Sequence, residues 1–361
     1  MKAAVCYEFG KPLVIEEIDI DPPQPGEVKV KVAATAICHS DVHLVRGEWG
    51  GKLPVVAGHE SAGIIAEVGQ GVTALRPGDY VVVSLLRSCG RCSDCTSGAP
   101  HLCSGSFALD SQSRLHSKHG QTIHHGIKTA SFAEYTIVDQ SQCVKIPDDV
   151  RPESAALLAC GVITGMGAVT NTANVTPGSR VAVIGVGGVG VNSIQGAVLR
   201  EARMIIAIDQ VEDKLAVART FGATHTVNAS TEDPVKAVRA LTDGAGVDYA
   251  FVTVGNALAI NQAFKMVRRG GSVVAIGLPE ASATVDLRVH SLVSGERRIL
   301  GSFMGSTRLS VDVPKLVELY QQGRLKLDEL ISNCYSLEQI NEAIAAMEHG
   351  AALRNVIVFP Q

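Results

Sequence analysis

From position 2 to about position 147, apolar residues come in short runs rich in Val and Ile: "VIEEIDI", "GEVKVKVAATAI", "AGIIAEVG", "DYVVVSLL" and "FAEYTIV". Turns such as "PPQPGE" and "RPGD" separate them. Short β-branched runs bounded by Gly and Pro predict strands, so this part reads as an irregular, mostly β domain. Residues 104–128 are polar, rich in His and without a period, which predicts a loop.

From about position 179 the pattern changes. "RVAVIG", "MIIAID", "HTVNA", "VDYAFVTVG" and "GSVVAIGLP" have the length and apolar character of buried strands. Helical stretches fall between them: 189–200, "VEDKLAVARTFG", "DPVKAVRALTDG" and "LAINQAFKMVRRG". Such alternation predicts a doubly wound α/β fold on a parallel sheet. Two more helices, over "PKLVELYQQG" and "LEQINEAIAAMEHG", lead to a final strand, "NVIVF".

A chain of 361 residues is long enough for two domains, each with its own core. Hydrophobic residues make up 46% and charged residues 19%, values of a folded enzyme and not of a disordered chain. Lys plus Arg number 32 against 36 Asp plus Glu, with no basic run, which argues against a nucleic-acid partner. No apolar run approaches the ~20 residues that span a bilayer, and "MKAAVCYEFGKP" lacks a signal-peptide core. A cytoplasmic protein without disulfides is expected.

Four of the nine cysteines crowd into "CGRCSDCTSGAPHLC": Cys89, Cys92, Cys95 and Cys103, with two, two and seven residues between them. Thiolates so spaced can wrap one tetrahedral ion, which points to a closed structural zinc site. A redox dithiol and plain buried thiols are the alternatives. A full set of four ligands leaves no position for substrate, so the chemistry must lie elsewhere.

"RVAVIGVGGVG" sets Gly185, Gly187, Gly188 and Gly190 between a buried strand and a helix. Gly185 suits a tight turn, Gly187 a close approach to a pyrophosphate, and Gly190 close packing of helix on strand. The next strand ends at Asp209, where an acid can accept from an adenosine ribose and repel the extra phosphate of NADP, so NAD is expected. Lys214 is close enough to support the same ribose. The other reading of Asp209 is an N-cap for "VEDKLAVAR".

Cys38 in "AICHSDVH", His59 in "VVAGHESAG" and Cys160 in "LLACGVITG" form a second set. Two thiolates and an imidazole suit a catalytic zinc with an open fourth position, although a cysteine taken singly is more often packing. In combination, "GHE" after the first Cys, the clustered cysteines, "ACG" before the nucleotide domain, "GxGGxG", the ribose Asp and an Arg before the last strand resemble the zinc-dependent medium-chain alcohol dehydrogenases. The likeness runs over essentially the whole chain.

That resemblance implies a GroES-like catalytic domain (1–162 and 304–361) and a Rossmann NAD-binding domain (163–303). It implies two zinc ions, one on Cys38, His59 and Cys160 with Glu60 approaching from behind, and one on Cys89, Cys92, Cys95 and Cys103. Asp41 would orient the His59 imidazole. Ser40 would receive the alcohol proton and His43 would pass it to solvent. His39 and Arg354 would meet the pyrophosphate, Thr164 and Val189 would hold the nicotinamide, and Ile276 and Leu278 would also contact the cofactor. Trp49 and Leu85 would shape the substrate pocket, and Gly126, where some relatives carry an aromatic, would open it. Each has a plainer reading: Ser40 as a helix cap, His43 as a surface histidine, Arg354 as a solvated charge.

The activity implied is reversible, NAD-linked oxidation of a medium-sized primary aliphatic or aromatic alcohol by a homodimer or homotetramer. A formaldehyde dehydrogenase acting on a thiol adduct is the alternative. A polyol dehydrogenase would carry a glutamate where Cys160 stands, and a non-catalytic zinc or NAD sensor would lack Ser40 or Cys160.

Overall fold

The computed structural model describes residues 1–348, 350 and 353–360. The chain forms two compact units, Met1–Cys160 with Arg308–Gln361, and Gly161–Thr307. These boundaries lie two to four residues from those expected.

In the first unit, strand Glu27–Ala36 is central to a seven-stranded sheet. Across this sheet run Cys143–Lys145, Tyr80–Val83, Glu60–Val68, Glu27–Ala36, Arg354–Val358 and Ile331–Tyr335, while Tyr135–Asp139 also pairs with Glu27–Ala36. The C-terminal strand thus enters beside the N-terminal strands: Val356 opposes Ala36, and Ala36 opposes Glu60 on its other side. A closed barrel of five short strands completes the unit: Lys2–Cys6, Val14–Ile20, Leu115–Ser117, Thr122–His125 and Val55–Val56.

Two of those barrel strands fall in 104–128, where a loop was expected. The segment also has single 3-10 turns at Ala108–Asp110 and Gly126–Lys128. Leu115 and Ile123, both fully buried, supply the apolar anchors, one per strand. Arg114 forks onto the buried Glu27 carboxylate at 2.7 and 2.9 Å, tying the segment to the central strand. One anchor per strand is too few to show as a period, so only pairing with distant strands reveals the structure.

The second unit carries a six-stranded parallel sheet in the order His225–Asn228, Met204–Asp209, Arg180–Ile184, Val247–Val252, Val267–Ala275 and Arg298–Gly301. This is the dinucleotide-binding strand order, whose switch point lies at the C-terminal end of the first strand, Arg180–Ile184. That strand is buried from Val181 to Ile184, as helices on both faces of a parallel sheet require. Its helices start on local caps: Asp233 accepts from Val235 and Lys236 N–H, and Asn256 from Leu258 and Ala259 N–H.

The helix expected over "LAINQAFKMVRRG" is shorter than the sequence suggests, ending at Met266. Val267, fully buried, joins the sheet opposite Val247, so tertiary pairing outweighs a helical pattern that continues into exposed arginines. The C-terminal helix runs Ile340–Glu348 after a 3-10 turn at Leu337–Gln339; position 349, at the end of the expected stretch, lies outside the described residues. Among the described residues, no helix is long and apolar enough to cross a membrane.

Candidate active site

The first site is built on a short helix, His39–Val45, entered through Cys38 in extended conformation. Asp41, in the third helical position, accepts from the Cys38 N–H at 3.1 Å and so closes the helix start. Its other oxygen accepts from the Gly58 N–H and from His59 Nδ1, both at 2.9 Å. Asp41 and His59 are fully buried. One carboxylate therefore fixes the backbone carrying Cys38, the turn before His59, and the His59 ring itself.

Gly58 has to be glycine twice over. Its φ is +93°, and a Cβ there would stand 2.6 Å from the Phe132 backbone N. Cys160 arrives from the segment between helices Pro152–Leu157 and Gly161–Gly167, where Ser84 Oγ donates to the Ala159 carbonyl at 2.6 Å. Ligand atoms of Cys38, His59, Glu60 and Cys160 all lie within 4.8 Å of one another.

The electrostatics of this cluster are those of a cation site. The hydrogen bond from Cys160 holds the Cys38 thiol well below its usual range, and the same bond, with burial, pushes Cys160 up. Burial alone would lower His59, but the Asp41 carboxylate outweighs it and holds the ring above the usual imidazole range. His59 Nε2 is buried and makes no hydrogen bond of acceptable geometry, although the Cys38 sulfur lies beside it. With Nδ1 committed to Asp41, Nε2 is the atom offered to an ion. Two sulfurs and one imidazole nitrogen match the donor set of a catalytic zinc.

Arg354 is buried beside the metal cluster. The residue is only 6% exposed, and its guanidinium is paired with Glu60 through Nη2 and Oε2. Burial pushes the Glu60 carboxyl up to about 7 against the pull of this arginine. The two side chains meet because strand Arg354–Val358 is hydrogen-bonded into the same sheet as Glu60.

Ser40 occupies the second helical position, so it is not the helix cap; Cys38 is. Ser40 and His43 are three residues apart and share a helix face. His39 is exposed, and His43 is partly exposed with its Nδ1 on Glu48. The Trp49 indole is 41% exposed and lies 5.3 Å from the His43 ring. Leu85 is partly buried just beyond strand Tyr80–Val83. Gly126 opens no space: it is buried, and a Cβ there would stand 2.6 Å from the Val56 carbonyl oxygen.

Cys89, Cys92, Cys95 and Cys103 also converge, again within 4.8 Å, but partly exposed and around the single helical turn Ser93–Thr96. Backbone N–H groups aim at the sulfurs: Cys89 N at 3.2 Å and Gly105 N at 3.4 Å from Cys103 Sγ, and Cys92 N at 3.4 Å from Cys89 Sγ. The Cys95 N–H brings the Cys92 thiol down to about 6. Gly105 went unnoticed in the sequence. A Cβ there would meet Cys89 Sγ at 2.9 Å, so the "CSG" glycine keeps the cage open.

In the second unit the glycine run forms a tight turn packed closely against the start of its helix. Gly185 has φ +91°, and a Cβ on Gly190 would stand 1.8 Å from the Gly185 carbonyl oxygen. Gly187 has nothing within 4 Å of a Cβ, and helix Gly188–Leu199 begins at once. Asp209 accepts from Val186 N–H at 2.7 Å and from the N–H groups of Gln210 and Val211, while Val211 holds the N-cap position. Asp209 therefore braces the glycine loop and is not the cap. Lys214 sits on the following helix, Glu212–Thr220. Thr164 Oγ1 donates to Met304 Sδ at 3.7 Å, Val189 is in the first turn of the loop helix, and Ile276 and Leu278 follow the C-terminal end of strand Val267–Ala275.

Comparison with known proteins gives this arrangement a family. Residues 24–148 match the model of the alcohol dehydrogenase GroES-like domain and residues 188–322 that of the zinc-binding dehydrogenases. An S-(hydroxymethyl)glutathione dehydrogenase of Synechocystis sp. is 39% identical, with 99% of each chain covered. Crystal structures of a benzyl alcohol dehydrogenase from Acinetobacter calcoaceticus (35% identity, TM-score 0.94, 99% of each chain) and of an alcohol dehydrogenase zinc-binding domain protein from Burkholderia ambifaria (35%, 0.95, 100% of this chain and 99% of that one) share the fold. With a GroES-like unit carrying both cysteine-rich clusters and a Rossmann unit carrying the glycine loop, the chain belongs to the zinc-dependent medium-chain alcohol dehydrogenase family.

Proposed function

We propose that the protein reversibly oxidises a medium-sized primary alcohol, aliphatic or aromatic, to its aldehyde with NAD. The observation that carries this reading is the buried set of Cys38, His59 and Cys160, with Asp41 holding His59 Nδ1 so that Nε2 faces the sulfurs. Cys38, His59 and Cys160 would hold the catalytic zinc, and Cys89, Cys92, Cys95 and Cys103 the structural one. Residues 163–303 would bind NAD through Gly185, Gly187, Gly188 and Gly190, with Asp209 and Lys214 at the ribose and Thr164, Val189, Ile276 and Leu278 at the nicotinamide side. When bound, the zinc supplies Lewis acidity toward the alcohol oxygen and NAD supplies the hydride acceptor.

The chain itself supplies alignment and a route for the proton. Ser40 takes up the alcohol proton, and His43, one turn further along, delivers it to solvent. Arg354 neutralises Glu60 and so leaves the two thiolates as the principal negative charge at the metal. His39 and Arg354 are the residues proposed to meet the pyrophosphate. Trp49 and Leu85 are the residues proposed to shape the pocket.

A thiol-dependent formaldehyde dehydrogenase is the second reading, supported by the 39% identical relative of that name. A panel of alcohols followed by NADH absorbance separates the two. Turnover of benzylic and medium-chain primary alcohols without added thiol is expected; oxidation of formaldehyde only when glutathione is present selects the second. We also infer a cytoplasmic homo-oligomer. The outermost strand Arg298–Gly301 follows a helix whose Val289 and Val293 are 67% and 70% exposed, an apolar edge suited to a second copy.

A further inference from the structure

Helix His39–Val45 ends in a way that puts one more side chain on the proton path. Arg46 closes the helix, and Gly47 follows at φ +76°. The Gly47 N–H donates to the Leu44 carbonyl and the Glu48 N–H to the His43 carbonyl, both at 3.0 Å. This paired reversal is a Schellman closure, which folds the second residue past the cap back over the helical residue five positions before it. In Schellman closures those two positions frequently hold an apolar contact; here they are Glu48 and His43.

The outcome is a hydrogen bond between His43 Nδ1 and the Glu48 carboxylate. An ionised carboxylate only accepts, so the ring carries its proton on Nδ1 and leaves Nε2 as the basic nitrogen. Trp49, the next residue, lies with its ring 5.3 Å from the imidazole at 30°, restraining the ring from a second side. Gly47 is required for steric reasons as well, since a Cβ there would stand 2.7 Å from Phe9 Cγ. The turn that places Glu48 is thus locked by a left-handed glycine and by a neighbour on another segment.

We propose that Glu48 is a positioning residue for proton release: it fixes His43 as the Nδ1–H tautomer, with Nε2 presented to receive the proton. In the step it supports, Nε2 takes one proton and the ring becomes an imidazolium held by the Glu48 carboxylate. The ring then returns one proton to water and is neutral again. This inference rests on the proposed role of His43, and its test is chosen so that the two can fail separately.

The experiment uses the holoenzyme labelled with 15N-histidine, as wild type and as Glu48→Ala, Glu48→Gln, His43→Ala and the Glu48→Ala/His43→Ala double variant. Loss of the His43 signals in His43→Ala assigns the ring. At alkaline pH the wild-type ring nitrogens are expected to report a proton on Nδ1, Glu48→Gln to keep it, and Glu48→Ala to move it to Nε2. In turnover, Glu48→Ala is expected to lower kcat roughly 10- to 100-fold with KM unchanged, less than the ~10²–10⁴ of a general base itself. Glu48→Gln should recover most of that loss, and the double variant should be no slower than His43→Ala, because both changes remove one function.

An unchanged tautomer in Glu48→Ala overturns the proposal, as does a loss that adds in full to that of His43→Ala. If the tautomer moves but His43→Ala turns over at the wild-type rate, the Glu48 contact stands and the proton-release role of His43 falls.

Discussion

The two cysteine-bearing clusters use similar donors and are built in opposite ways. Cys89, Cys92, Cys95 and Cys103 come from one stretch of loop, partly exposed, with backbone N–H groups of the same stretch on their sulfurs. Cys38, His59, Glu60 and Cys160 come from three separate segments, are buried, and are held by the side chains of Asp41 and Arg354. A local cage can be closed by its own backbone, so it needs little from the rest of the fold. A dispersed site has no such scaffold, and its geometry is borrowed from a sheet and a helix cap. The consequence is chemical: four sulfurs close a site, while two sulfurs and a nitrogen leave room for a reactant.

The largest expected effect tests that division directly. Cys160→Ala and Cys103→Ser should each reduce bound zinc from two ions per chain to one, measured by elemental analysis. Cys160→Ala should lower kcat roughly a thousandfold or more, since a Lewis-acidic metal contributes several kcal/mol, while NAD still binds. Cys103→Ser should instead lower the thermal midpoint and expose 89–105 to protease, with turnover falling far less at low temperature. Full turnover in Cys160→Ala would reverse the assignment of the two clusters.

A smaller effect is expected where the dispersed cluster borrows its geometry. Asp41→Asn keeps an oxygen for the Gly58 or His59 donor but removes the charge and one acceptor. Zinc affinity at the catalytic site, measured by chelator competition, should fall about 10- to 100-fold, as for other partners of metal-bound histidines. The cysteine loop should keep its ion. Equal loss at both sites would show that Asp41 supports the fold at large.

The finest distinction is one of pH. In metal-stripped protein, alkylation of Cys92 should rise with pH through about 6, because the thiolate is the nucleophile and the Cys95 N–H stabilises it. Cys95, pushed up to about 12 by burial, should stay slow across the neutral range. Peptide mass spectrometry against pH reads both. A Cys92 midpoint near the ordinary thiol value would mean that the loop backbone does not preorganise the cage.

Legibility followed the same divide. The parallel sheet could be read in "RVAVI" and "MIIAID" because strands buried on both faces are apolar throughout. The glycine loop could be read because Gly185 and Gly190 serve contacts within a few residues of each other. Residues 115–125 could not, since Leu115 and Ile123 only make sense against strands from elsewhere in the barrel. The start of strand Val267–Ala275 was hidden by a helical pattern that its partner strand overrode. The pairing of Arg354 with Glu60 was equally hidden, because it depends on which strands become neighbours.

By itself the sequence determined what acts over a few residues: the closed cysteine cage, the phosphate-loop turn, and the alternation of strands and helices in the second unit. Only the tertiary structure decided which distant side chains share a site and that Gly126 is a packing glycine. The physical reason is range. Turn geometry and capping are set by neighbouring dihedrals, whereas the meeting of Cys38, His59 and Cys160 needs a sheet whose register is chosen by burial of the whole unit.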